Sequence, residues 1–126
     1  MQKPESRWRS SLVKLFQRMV PKGFIWAHDA HFRHGFPDLT MIFPEGRVVH
    51  AELKIQRHPY HPLDGLEPRQ KLVLQQIAKA GGTALVLTYY PEDKKIAWCD
   101  MALGQIFICT QGQFEGRLFD FKTATW

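Results

Sequence analysis

Apolar positions recur along this chain with two different periods. From residue 5 to about 20 the spacing is helical: Trp8, Leu12, Leu15, Phe16 and Met19 fall on one stripe, and Pro21-Lys22-Gly23 supplies the stop. Phe24 to Ala27 fits a short strand. After the stretch His28-Asp29-Ala30-His31-Phe32-Arg33-His34 and the loop Gly35-Phe36-Pro37, the period changes to two. Leu39, Met41 and Phe43 alternate with Asp38 and Thr40, and Pro44-Glu45-Gly46 turns the chain. Val49, Ala51, Leu53 and Ile55 then alternate with His50, Glu52, Lys54 and Gln56. That pattern predicts a hairpin with one wholly apolar face.

A polar, proline-containing connection from Arg57 to Glu67 leads to a second helix. Pro68 suits its first turn, Gln70, Val73, Leu74 and Ile77 share a face, and Gly81-Gly82 ends it. Thr83 to Tyr90 is a near-continuous apolar run, as in a strand covered on both sides. Strand, helix, strand makes a βαβ unit, so strands at 48–55 and 83–90 should run parallel with a right-handed crossover. Beyond Tyr90 the periods blur. Asp100 to Thr110 reads as a helix capped by Asp100, and Arg117 to Lys122 as a final edge strand. No repeat or compositional break divides the chain, so residues 1–126 read as a single domain.

Composition narrows this picture. A chain of 126 residues with 44% apolar content can bury one core without staples. Cys99 and Cys109 lack the paired spacing of a zinc ribbon or a disulfide scaffold. No apolar run reaches the ~18 to 20 residues that span a bilayer. These features point to a soluble intracellular protein with no membrane partner. The net charge of +5 and pI near 9.4 suit a nucleic-acid partner without requiring one.

The hairpin fixes a register. In a three-residue loop, proline fits the first position and glycine the left-handed last one, so Phe43 pairs with Arg47 and Asp38 comes to lie opposite Glu52. A slip by one residue would set Leu39 against Glu52 and spoil both faces. Lys54, two residues on, shares the face of Glu52. Two adjacent carboxylates repel unless a cation or a proton lies between them, and Mg²⁺ sits readily on one or two carboxylates plus phosphate oxygens. A nearby lysine can stabilise negative charge or orient water. Acid, acid and lysine around a metal are what phosphodiester hydrolysis needs. The competing reading is plain: a strand with one wet face also carries polar residues at 50, 52, 54 and 56.

Gly35-Phe36-Pro37-Asp38-Leu39, then Ala51-Glu52-Leu53-Lys54, then Gln70 in a helix ending Ala80-Gly81-Gly82 resemble the PD-(D/E)XK nuclease superfamily. The similarity is greatest to its VRR-NUC and archaeal Holliday-junction-resolvase-like branches, and it covers about residues 5 to 90. It implies an α/β fold of the restriction-endonuclease-like kind, a mixed β-sheet flanked by helices. It further implies that Asp38, Glu52 and the main-chain carbonyl of Leu53 hold Mg²⁺ (or Mn²⁺), that Lys54 positions or activates water, and that Gln70 lies at the site. Glu5 resembles a first-helix acid that completes the metal site in several relatives, and equally an ordinary first-turn acid favoured by the helix dipole. For Gln70 the competing reading is a boundary glutamine on a half-buried face.

The implied activity is metal-dependent hydrolysis of DNA, selective for branched or Holliday-junction structures, in a bacterial or phage-infected cytoplasm. Paired incisions would call for a homodimer. A nonspecific or nicking endonuclease, or an inactive DNA-binding module of the same fold, are the alternatives. Arg57, His58, Tyr60 and Arg69 leave the end of the Glu52 strand, where ligands bind in such sheets, and together with Arg33 and His34 are candidates to grip DNA. A proline-stiffened surface loop is the competing reading. His28, His31 and His34 at spacing three also admit a zinc site, but no cysteine ligands accompany them.

Overall fold

The computed structural model describes residues 4–28, 35–57 and 61–123, with side chains as far as residue 118. Helix α1 (Pro4–Met19) is followed by strands β1 (Phe24–Ala27), β2 (Leu39–Ile42) and β3 (Val48–Ile55). Then come α2 (Pro68–Lys79), β4 (Thr83–Tyr90), β5 (Lys95–Asp100), β6 (Gln105–Thr110) and α3 (Gln111–Thr123). The strands form one six-stranded sheet in sequence order. Every pairing is antiparallel except β3 with β4, which is parallel. The expected parallel pairing of these two strands is therefore met, with α2 connecting them.

Side-chain alternation sorts the core into two layers. Leu39 and Met41 of β2, Val49, Ala51 and Leu53 of β3, and Leu85 and Leu87 of β4 face α1 and α3. Against them pack the stripe Trp8, Leu12, Leu15 and Phe16 of α1 and Phe114 and Leu118 of α3. On the opposite face a smaller cluster joins Leu74 of α2 to Ala84 and Val86 of β4 and Cys99 of β5. Thus α2 covers the middle of the sheet, and the same face of β1, β2 and β3 carries the residues of the hairpin's polar side.

The reading of the tail is overturned. Residues 100–110 are not a helix, and residues 117–122 belong to α3 rather than to a strand. Asp100 does cap amides, accepting from Ala102 at 2.9 Å and Leu103 at 3.4 Å. That turn closes at once: Gly104 takes φ +68° and donates to the Asp100 carbonyl at 2.9 Å. The chain reverses, and Ile106, Phe107 and Ile108, all strong strand formers, pair with β5 as β6. Helix α3 begins with a reciprocal cap. Thr110 N–H donates to Gln113 Oε1 at 2.8 Å, and Gln113 N–H donates to Thr110 Oγ1 at 3.2 Å. Phe114 and Leu118, one turn apart, then reach the core.

Candidate active site

The β2–β3 turn has the expected chemistry. Phe43 N–H donates to the Arg47 carbonyl at 2.9 Å, and Gly46 occupies the left-handed position at φ +87°. The ladder then pairs Met41 with Val49 and Leu39 with Ala51, so one further step sets Asp38 opposite Glu52. Hydrogen-bonded pairs alternate along an antiparallel ladder: 43 with 47, 41 with 49, 39 with 51, and next 37 with 53. Residue 37 is proline and has no N–H to give. The ladder ends there, and Leu53 N–H donates instead to Asp38 Oδ2 at 2.9 Å. The Leu53 carbonyl points to the same edge and receives no ladder donor from β2. Proline followed by aspartate therefore does two things at once: it anchors a carboxylate and leaves a main-chain oxygen beside it.

Glu52 is 2% exposed, so its face is not the wet side of a strand. Its Oε2 has no hydrogen-bond partner. Its carboxyl is pushed up to about 10, first by burial, then by a hydrogen bond to Asp38 and by that residue's charge, against the pull of Lys54. The charge of Glu5 adds to the upward push. Burial and the adjacent Asp38 thus favour a Glu52 that keeps its proton. An orphaned buried oxygen, a partner carboxylate and a carbonyl that Pro37 cannot bond form a donor set that fits Mg²⁺ or Mn²⁺.

Around this pair the expected residues are distributed unequally. Glu5 lines a cavity of about 510 Å³ together with Pro4, Ser6, Arg9, Asp38, Leu53 and Ile55. It is thus brought to the site, although among the described residues no three His, Cys, Asp or Glu side chains stand close enough to share one ion. Arg9 is a site residue that the sequence pattern did not single out. It lies four residues after Glu5, hence on the same helical face, and that spacing is the one available signal. Lys54 is half-buried on the Glu52 face. Gln70 uses its Oε1 to accept from Glu67 N–H at 3.0 Å, capping the start of α2. Arg57 is exposed just beyond β3 and Arg69 is exposed in the first turn of α2. Arg33, His34, His58 and Tyr60, like the His31 of the zinc alternative, lie outside the described residues.

Two features hold the Asp38 loop. Gly35 has φ +81°, and a methyl there would stand 2.5 Å from Arg69 Cγ and 2.9 Å from the Arg69 carbonyl oxygen. The glycine lets the loop lie on the start of α2. Gly35→Ala should cost about 1 to 3 kcal/mol in urea unfolding; an unchanged midpoint would show that the loop accommodates the methyl. Next to it, Thr40 Oγ1 is hydrogen-bonded to His28 Nε2 at 2.7 Å and to His50 Nδ1 at 2.9 Å. The Phe36 ring stands edge-on to both imidazoles, with centroids 5.0 and 5.4 Å away. Burial lowers the pKa of both histidines; nearby Asp38 opposes this at His28, and His28 adds to it at His50.

No family model and no curated protein matches the chain. Its fold does have a counterpart among solved structures. The chain is similar to Hjc of Archaeoglobus fulgidus, a Holliday junction resolvase from an archaeal hyperthermophile. The TM-score is 0.57 at 14% identity, over 85% of this chain and 88% of that one. The likeness lies in the fold, an α/β arrangement of a mixed sheet flanked by helices, as the sequence resemblance implied.

Proposed function

We propose that this chain is a divalent-metal-dependent DNA endonuclease of the PD-(D/E)XK kind, acting on branched DNA. The observation that carries the reading is the pairing of the half-buried Asp38 with the buried Glu52, whose Oε2 has no hydrogen-bond partner, at the point where Leu53 N–H holds the Asp38 carboxylate. Fold likeness to a Holliday junction resolvase supports the branched substrate. The VRR-NUC affinity rests on the Gly35–Leu39 and Ala51–Lys54 motifs. Among the described residues no helix is long and apolar enough to cross a membrane, which is compatible with a cytoplasmic site of action.

Asp38, Glu52 and the Leu53 carbonyl would hold Mg²⁺ or Mn²⁺. When bound, such an ion supplies Lewis-acid polarisation of the phosphate and a more acidic water. The protein's own share is positional. Leu53 N–H fixes the Asp38 carboxylate, burial keeps bulk water from Glu52, and Lys54 brings a positive charge to the face where phosphate charge develops. Arg9, which lines the cavity with Asp38, Arg69, which lies against Gly35, and Arg57 beyond β3 would serve as phosphate contacts. Paired cuts across a junction need two such centres, hence a homodimer.

The test uses linear duplex, supercoiled plasmid, flap and four-way-junction DNA, each with Mg²⁺ and with EDTA. Preferential Mg²⁺-dependent cutting of the junction is expected. Equal nicking of all substrates would favour a nonspecific endonuclease. Binding without cutting in any metal would leave only a DNA-binding module.

A further inference from the structure

The polar side of the β1–β2–β3 face is a grid that the ladder registers define. Phe24 pairs with Ile42, and Ile42 with Val48; Trp26 pairs with Thr40, and Thr40 with His50. His28 N–H donates to the Asp38 carbonyl at 2.8 Å, which continues the grid to Asp38 and Glu52. Three rows therefore run from an aromatic end, through Thr40 and His50, to the carboxylate pair, with the Phe36 ring set against His28 and His50 between the last two rows. The aromatic end is open: Phe24 is 53% and Trp26 58% exposed, with ring centroids 6.0 Å apart at 62°. Among the described residues α2 packs on β4, and the cluster it forms includes no residue of β1.

Same-face residues lie about 6.7 Å apart along a strand and neighbouring strands about 4.8 Å. Trp26 is then about 8 Å from Asp38 across the grid, the reach of two or three stacked nucleotides at about 3.4 Å each. Large exposed aromatics at an apolar patch call for an occupant. A second protein laid over these rows would also bury Thr40, His50 and the half-exposed Asp38 carboxylate. A DNA strand whose phosphate lies at the carboxylates instead brings its next bases onto the rings.

We propose that Trp26 and Phe24 form a stacking platform for unpaired bases of the strand held at Asp38 and Glu52, so that substrates with single-stranded or opened arms are preferred. The inference rests on the nuclease reading, which supplies the strand. Stacking on an aromatic side chain is sequence-tolerant, so the preference concerns DNA shape rather than sequence.

The experiment compares the wild-type chain, Trp26→Ala and Trp26→Phe. Each is titrated in EDTA against a flap DNA carrying 2-aminopurine in its single-stranded arm, and against a matched duplex. Wild type and Trp26→Phe should quench the fluorescent base. Trp26→Ala should lose the quench and bind the flap about five- to a hundred-fold more weakly, with duplex affinity unchanged. Identical quench and affinity for Trp26→Ala would overturn the platform. So would a shift from dimer to monomer in sedimentation with flap and duplex affinity falling together, which would mark a self-association surface. Quenching by a wild type that cuts nothing in Mg²⁺ would uphold the platform and reject the nuclease reading. A wild type that binds no DNA would reject both.

Discussion

Glu52→Gln should stabilise the metal-free protein and abolish its cleavage of DNA. Glutamine keeps the shape of glutamate but cannot ionise, so it meets the burial of this position without an acid's penalty. In the unfolded chain the carboxyl titrates near 4.5, and in the fold it is pushed up to about 10. Below pH 4.5 both states hold the proton and no penalty exists. As pH rises from there, the unfolded chain releases a proton that the fold retains, so wild-type stability falls until the folded group ionises. The limiting slope is about 1.4 kcal/mol per pH unit, so at about pH 7.5 the penalty approaches about 4 kcal/mol. Urea unfolding in EDTA between about pH 5 and 8 should show wild type losing stability relative to Glu52→Gln by a few kcal/mol. Adding Mg²⁺ should raise the melting temperature of wild type only, because ligand binding to the native state is stabilising. Cleavage by Glu52→Gln should fall by at least about 10²- to 10³-fold. Wild-type stability that instead rises with pH over this range would refute a buried protonated Glu52.

The range of the interactions involved decides how much of the fold and site is legible in the sequence. The hairpin register can be read because its turn is local: Pro44 and Gly46 set the loop, and alternation propagates the pairing to Asp38 and Glu52. The crossover helix is equally local, with Pro68 at its start and Gly81 at its end. Burial cannot be read in this way. Positions 50, 52, 54 and 56 look like a solvated strand face until the fold places Glu52 at 2% exposure. Pro37 needs the ladder phase before its missing N–H acquires a meaning for Leu53. Arg9 needs the packing of α1 over the end of β3. The tail misleads for a different reason. Asp100 is a true cap, but whether a capped turn grows into a helix depends on the residues after it, and Gly104 with Ile106 to Ile108 favours reversal. Trp26 shows the converse limit, since a four-residue strand gives too short a pattern to tell an exposed ring from a core one.

Lys54→Ala should separate binding from chemistry. The side chain shares the face of Glu52, and its charge already pulls the Glu52 pKa downward, so it acts within the same local field. Its stem passes Gly65, where an added methyl would stand 3.6 Å from Lys54 Cδ, and Lys54 pairs in the ladder with the buried Thr88. It is therefore half-buried rather than fully solvated. A positive charge fixed at this point counts most where negative charge grows during attack on phosphorus, and less toward a ground-state phosphate that other cations also meet. Removing it should lower the cleavage rate constant by about 10²- to 10³-fold while junction affinity in EDTA changes by no more than a few-fold. Single-turnover cleavage with saturating enzyme measures the first, and a binding titration the second. Lys54→Arg keeps the charge but spreads it over a planar fork, so it should restore only part of the rate. Equal losses in affinity and rate would make Lys54 a DNA contact. A lowered melting temperature with normal specific activity of the folded fraction would make it a packing residue of β3.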